Sequence, residues 1–470
     1  MESPNLEATI PENQKASTEV ETAQSTTLLE RENIEDDEVL DKLQGDRIGD
    51  TMYSERFVLT TILKLPQLEG MLAEDEDFEK DLCSLWDMTI EKDVVLFLLK
   101  HDVIELFVGL SEASEDNRLV EILFGIVGNM CCVEETHRVL YENKTLLVSM
   151  CGFLASSDTL ILVQLMRILT TILERSDDEE YFWFKVIREV EDITEKLGFI
   201  LASTTNRELV EHTLDTVHAM VNRFTEAEVD YAQLNEFYRM FAKTCLIDGL
   251  MEGFKQIYPE TTADNQFEED FLTSRDLKTI QKFLEIHENF IVNANEVYED
   301  QIDKIVYCVY RVLVPMSAEG CLIPLSKTHV RILVCINSIY SAIVYHFHAG
   351  TFLSMLKIYT ILAKEQESLQ NVDQQQQQAM EEENDENDTE FEIQTALGEI
   401  LETLYFMAEP MSSTIIANTL KASSFSEETI QRLCAALKET MTGDPLLGRT
   451  CELLLESARV AWKIEDENRS

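Results

Sequence analysis

The stretch LVEILFGIVGNM, Leu119 to Met130, decides the fold. Its apolar residues Leu119, Ile122, Leu123, Ile126, Val127 and Met130 recur at steps of three and four. That is the period of a helix burying a wide face. Just before it stand a shorter apolar run, IELFVGL at 104–110, and a polar turn, SEASEDNR. The same sequence of run, turn and run returns twice. LLVSMCGFL at 146–154 leads through ASSD into LILVQLMRILTTIL at 160–173, and ITEKLGFIL at 193–201 leads through ASTTNR into ELVEHTLDTVHAMV at 208–221.

Leu110, Leu154 and Leu201 take equivalent places, 44 and 47 residues apart, and Val120, Val163 and Val210 follow them by 9 or 10. This is the period of armadillo or HEAT units of two or three helices. One such unit cannot cover its own apolar face, so stacked neighbours must share a continuous core. The expected fold class is all-α, an armadillo/HEAT-like α-solenoid with a disordered acidic N-terminus and a disordered polyglutamine/acidic insert. Only 15 glycines and 8 prolines among 470 residues argue the same way, since an all-β chain needs many more turn residues.

Charge narrows the partners. The formal net charge is −51. Residues 1–50 hold 14 acids and 4 bases and residues 366–393 hold 10 acids and no base, a net of −10 each, so −51 + 20 leaves −31 on the remainder. Such a surface repels nucleic-acid phosphates and anionic lipid and attracts protein partners with basic segments. Acidity also keeps a chain soluble. Ten cysteines sit in apolar stretches, as at Cys151, Cys245, Cys308 and Cys335, with no CxxC pair. They read as small core residues of an intracellular protein. The opening MESPNLEATIPE is no signal or transit peptide. The apolar run at 332–349 contains Asn337, His346 and His348 and reads as one buried core helix.

The expected organisation is a disordered tail at 1–44, an N-terminal helical cap at 45–100, armadillo-like repeats at 101–365, a low-complexity loop at 366–393 and a C-terminal helical cap at 394–470. Ser54 is the expected N-cap of the first helix, and Pro66 its end.

Three stretches carry a family resemblance: IGDTMYS at 48–54, SLWDMTIEKDVVLFLL at 84–99 and ILFGIVGNMCC at 122–132. They resemble the corresponding segments of the serum amyloid A-like 1 protein family, most densely over residues 45–140, and the chain is similar to a divergent member of invertebrate type. The resemblance implies an armadillo-like, non-enzymatic, chiefly nuclear protein linked to the promotion of cell proliferation.

No catalytic constellation, cofactor or metal site is expected. Gly125 and Gly128 lie within a helix and suit close helix approach, not phosphate binding. His346 and His348, two apart, share no helical face. The candidate interaction residues are Trp86, Asp87, Met88 and Asn129. Trp86 fills a pocket at the start of the array with Asp87 capping the next turn, or else serves as a docking anchor. Asn129 bonds neighbouring backbone. Nuclear import adaptors of the armadillo type place Trp one turn before such an Asn. Here Gly125 stands there, with Ile172 and Ala219 at the equivalent places, so an import-adaptor mechanism is not expected. The segment at 48–54 either packs back onto the array or serves as a linear motif.

Overall fold

The computed structural model describes residues 46–175, 182–226, 231–258, 272–343, 346–376, 383–423 and 425–469. The expected N-terminal tail lies outside them. Among the described residues there are 22 α-helices and no strand.

The chain enters through the segment that the family resemblance singled out. Asp46 accepts hydrogen bonds from the Ser54 hydroxyl (2.6 Å) and the Arg56 amide (2.8 Å). Ser54 in turn accepts from the Phe57 amide (3.0 Å) and opens α1, Glu55–Lys64. A short 3-10 turn containing Pro66 follows α1. Ile48 is buried, and Gly49 has φ +53. The amide of Asp50 donates to Asp93 (2.9 Å). A Cβ at Gly49 would stand 2.3 Å from that same carboxylate, so the position needs glycine for conformation and for space. Residues 48–54 therefore pack back onto the helices.

After α2, Glu76–Met88, three-helix units begin. The first holds α3, Lys92–Leu99; α4, Val103–Ala113; and α5, Asn117–Met130. The second holds α6, Glu134–Glu142; α7, Lys144–Gly152; and α8, Thr159–Arg175. The third holds α9, Phe182–Glu189; α10, Ile193–Ser203; and α11, Arg207–Glu226. The fourth holds α12, Tyr231–Phe241; α13, Thr244–Ile257; and α14, Ser274–Asn293. The fifth shrinks its first helix to a 3-10 turn, Asn295–Tyr298, before α15, Ile302–Met316; α16, Glu319–Leu322; and α17, Lys327–Ala342. The array ends with α18, Ala349–Gln376; α19, Glu383–Ala408; α20, Ser413–Lys421; α21, Glu427–Thr440; and α22, Leu447–Arg469.

Two rows result. The third helices α2, α5, α8, α11, α14, α17 and α19 pack each on the next, and α4, α7, α10, α13, α15, α18 and α20 form the second row behind them. Their shared apolar core is continuous from Ile48 to Ala461. This ladder is the armadillo/HEAT-like solenoid. Val120, Val163 and Val210 are all buried in it.

Several boundaries differ from expectation. The helix α3, Lys92–Leu99, lies before the expected limit at residue 100 and precedes α4 as α6 precedes α7 and α9 precedes α10. The turn after α4 shortens to 114–116, since Ser111 is buried and bonds back to the Phe107 carbonyl (2.8 Å). The run at 332–349 is not one helix. It breaks after α17, and His348 accepts from the Thr351 amide (3.2 Å) at the start of α18. Of the expected low-complexity loop at 366–393, residues 377–382 lie outside the described residues, and α18 and α19 extend to either side of them. Cys151, Cys308 and Cys335 are buried, but Cys245 is exposed at the start of α13.

A candidate docking surface along the third-helix row

The four sequence candidates lie at the N-terminal end of the row. Asp75 starts α2 by accepting from the Phe78 amide (3.0 Å), and Trp86, Asp87 and Met88 fall in its last turn. Trp86 is half-buried, with its ring against α5 at Gly125, where a Cβ would stand 2.1 Å from the indole. One turn on, Asn129 donates to the Trp86 carbonyl and to the Thr89 hydroxyl, both at 3.2 Å. Thr89 itself donates to the Trp86 carbonyl (2.5 Å). The cap of α2 thus belongs to Thr89 and Asn129. Asp87, expected to cap the following turn, is exposed, and α3 starts without a side-chain cap hydrogen bond. Met88 is half-buried against the core. The place that Gly125 vacates is filled from the neighbouring helix, so Trp86 of α2 and Asn129 of the first unit come together.

Further along, charges join one third helix to the next. Arg118 on α5 donates to Glu79 on α2 (2.8 Å) and to Glu121 (2.9 Å). Lys282 on α14 reaches Asp215 on α11 (2.6 Å). Glu285 on α14 is the main junction. It accepts from His218 of α11 (2.6 Å), Arg331 of α17 (2.7 Å) and Gln281 (3.0 Å). Burial pushes its carboxyl upward, but these hydrogen bonds outweigh that and hold it down at about 2. Arg331 also donates to Glu288 (2.8 Å). In the sequence Glu285 shares its helical face with Gln281, Lys282, Glu288 and Asn289, so it reads as one more solvated acid and nothing there marks the junction.

Arg331 separates two grooves on this surface. On one side lies a polar groove of about 410 Å³, lined by Asn222, Thr225, Asn289, Val292 and Asn293. On the other lies a mainly apolar groove, also about 410 Å³, lined by Lys327, Val330, Val334, Phe391, Glu392 and Thr395. Phe391 is 70% exposed and Val292 61%. Beyond the second groove, Asn337 donates to Glu399 (2.7 Å) and Glu402 (2.9 Å). Among the described residues no three His, Cys, Asp or Glu side chains are grouped to hold a metal ion, and no helix is long and apolar enough to cross a membrane.

No family model matches the chain. Protein saal1 of Danio rerio is 28% identical over 239 residues, covering 48% of this chain and 51% of that protein. Protein SAAL1 of Homo sapiens is 32% identical over 179 residues, covering 35% and 38%. The chain thus spans about half or less of the curated relatives it matches. Among solved structures, an engineered protein aligns over 86% of this chain and 99% of its own at 14% identity and TM-score 0.38. A designed armadillo repeat protein aligns over 63% and 98% at 13% identity and TM-score 0.34. Similarity to the SAAL1 proteins supports this chain being a divergent SAAL1-like family member.

Proposed function

We propose that this protein is a non-enzymatic scaffold whose third-helix row docks a segment of a protein partner carrying basic residues. The observation that carries the reading is the pair of grooves on either side of Arg331. They offer amide side chains on one side and exposed apolar side chains on the other, on a surface rigidified by the Glu285 junction. A stacked array offers many such contacts along one chain. The family resemblance adds a nuclear location and a link to cell proliferation. Trp86 and Asn129 extend the same surface toward the N-terminus.

The test uses the full chain against an array of immobilised peptides. Val292→Glu, at an exposed position, is expected to reduce capture about tenfold without changing the helical circular dichroism. Undiminished capture by residues 1–44 alone would sink the reading. A second reading, an acidic adaptor or chaperone for basic proteins, is favoured by the −31 left outside the two acidic segments. It requires capture that weakens steeply between low and physiological salt; salt-insensitive capture leaves only the scaffold.

A further inference from the structure

The apolar groove between α17 and α19 has a definite chemical layout. At its N-terminal end Phe391 stands 70% exposed beside Val330 and Val334. An exposed phenylalanine in a groove gains by being covered, at about 25 cal/mol per Å² of apolar area. Further along α19, on the same face, Thr395 is followed by Glu399 and Glu402 at helical spacing. Both carboxylates converge on the single Asn337 amide, and among the described residues neither has a lysine or arginine in ion-pair range. The other half-buried acids of the row named above have cations: Glu79 and Glu121 share Arg118, Asp215 has Lys282, and Glu285 and Glu288 share Arg331. The lining of the groove itself carries Lys327, Arg331 and Glu392, and the two carboxylates without a cation follow past Thr395, just beyond that lining.

We propose that this groove takes a partner segment with an aliphatic or aromatic side chain on Phe391, Val330 and Val334 and a lysine or arginine between Glu399 and Glu402. This rests on the docking role of the third-helix row and specifies its occupant. Eight residues of α19 separate Phe391 from Glu399, a rise of about 12 Å. An extended segment covers that in three or four residues, at about 3.3 Å each. The first 50 residues of the chain carry 14 acids against 4 bases, so charge favours a basic segment of another protein over them as the occupant.

The experiment titrates the full chain into fluorescein-labelled twelve-residue peptides and reads anisotropy. Each peptide has one leucine and, four residues on, one arginine in a Gly/Ser/Ala background. Saturable binding is expected, weakened about tenfold by Leu→Ala or Arg→Gln in the peptide. On the protein, Phe391→Ser should erase the preference for leucine over alanine. The double change Glu399→Gln and Glu402→Gln should erase the preference for arginine over glutamine. Circular dichroism is expected to stay unchanged in both variants. Binding indifferent to these changes, or absent up to about millimolar protein, overturns the proposal. So does a dimer that Phe391→Ser converts to monomer, since the groove would then hold a second copy. If Val292→Glu abolishes capture while these variants do not, only the assignment of this groove falls. If Val292→Glu also has no effect, the docking role itself falls.

Discussion

At the scale of the residue, the close meeting of Trp86 with Gly125 is the sharpest constraint. Gly125→Ala places a methyl group 2.1 Å from the indole and must displace the ring. We expect a loss of about 1–3 kcal/mol, read by urea unfolding, with a red shift in tryptophan emission because the displaced ring meets water. Asn129→Ala removes the donor to the Trp86 carbonyl and to Thr89. Its expected cost is about 1–2 kcal/mol; an unchanged unfolding midpoint would show that Thr89 alone suffices. The helical setting of Gly125 and Asn129 was legible in the sequence. The partner that fills the space was not, because Trp86 and Asn129 are 43 residues apart and adjacency along a helix carries no information about the next helix.

At the scale of the element, two helix contacts decide stability. In the second row, α10 and α13 cross backbone to backbone. A Cβ at Gly249 would lie 2.4 Å from the Gly198 carbonyl oxygen, and one at Gly198 would lie 2.5 Å from that of Cys245. Backbone cannot rotate away as a side chain can, so Gly249→Ala should cost more than Gly125→Ala, about 3 kcal/mol or above. Differential scanning calorimetry on the pair of variants checks the order. On α14, His287 is fully buried, with Nδ1 2.5 Å from the Tyr298 hydroxyl and Nε2 without a partner. Burial pushes its imidazole down from its ordinary 6.5 to about 3. The unfolded chain therefore binds the extra proton between those values, and stability falls as pH falls through that window. The slope is about 1.4 kcal/mol per pH unit. His287→Gln should lower the slope of the urea-midpoint profile between pH 6.5 and 4, the remainder coming from His212, His329 and His348, which burial also pushes down, while Glu285 acts lower, through 4.5 and toward 2.

At the scale of the whole molecule, an array in which each unit touches only its neighbours is as cooperative as its interfaces. Glu285 ties α11, α14 and α17 across two of them. Glu285→Leu removes the acceptor of His218, Gln281 and Arg331 while Arg331 keeps Glu288, a loss of about 1–3 kcal/mol. We expect the single melting transition to divide in two, the segment from α15 onward melting apart from the segment before α11. One sharp transition at a lower temperature would mean that apolar contacts alone couple the halves.

The sequence by itself determined the helices, the repeat period up to about residue 225, the need for a shared core and the acidity. Each of these follows from local periodicity or composition, which is summed along the chain and survives any detail of packing. It also marked residues 48–54 as a special segment. The tertiary structure alone decided that the segment packs back through Asp93, that α10 and α13 touch through glycine, and that Glu285 collects its partners from residues 218 and 331. It alone also placed the uncovered Phe391 against Val330 and Val334 of α17, with Glu399 and Glu402 meeting Asn337 just beyond that groove. Those facts depend on how helices 40 to 70 residues apart cross, a geometry set by the joint packing of both rows and written in no single stretch of the chain.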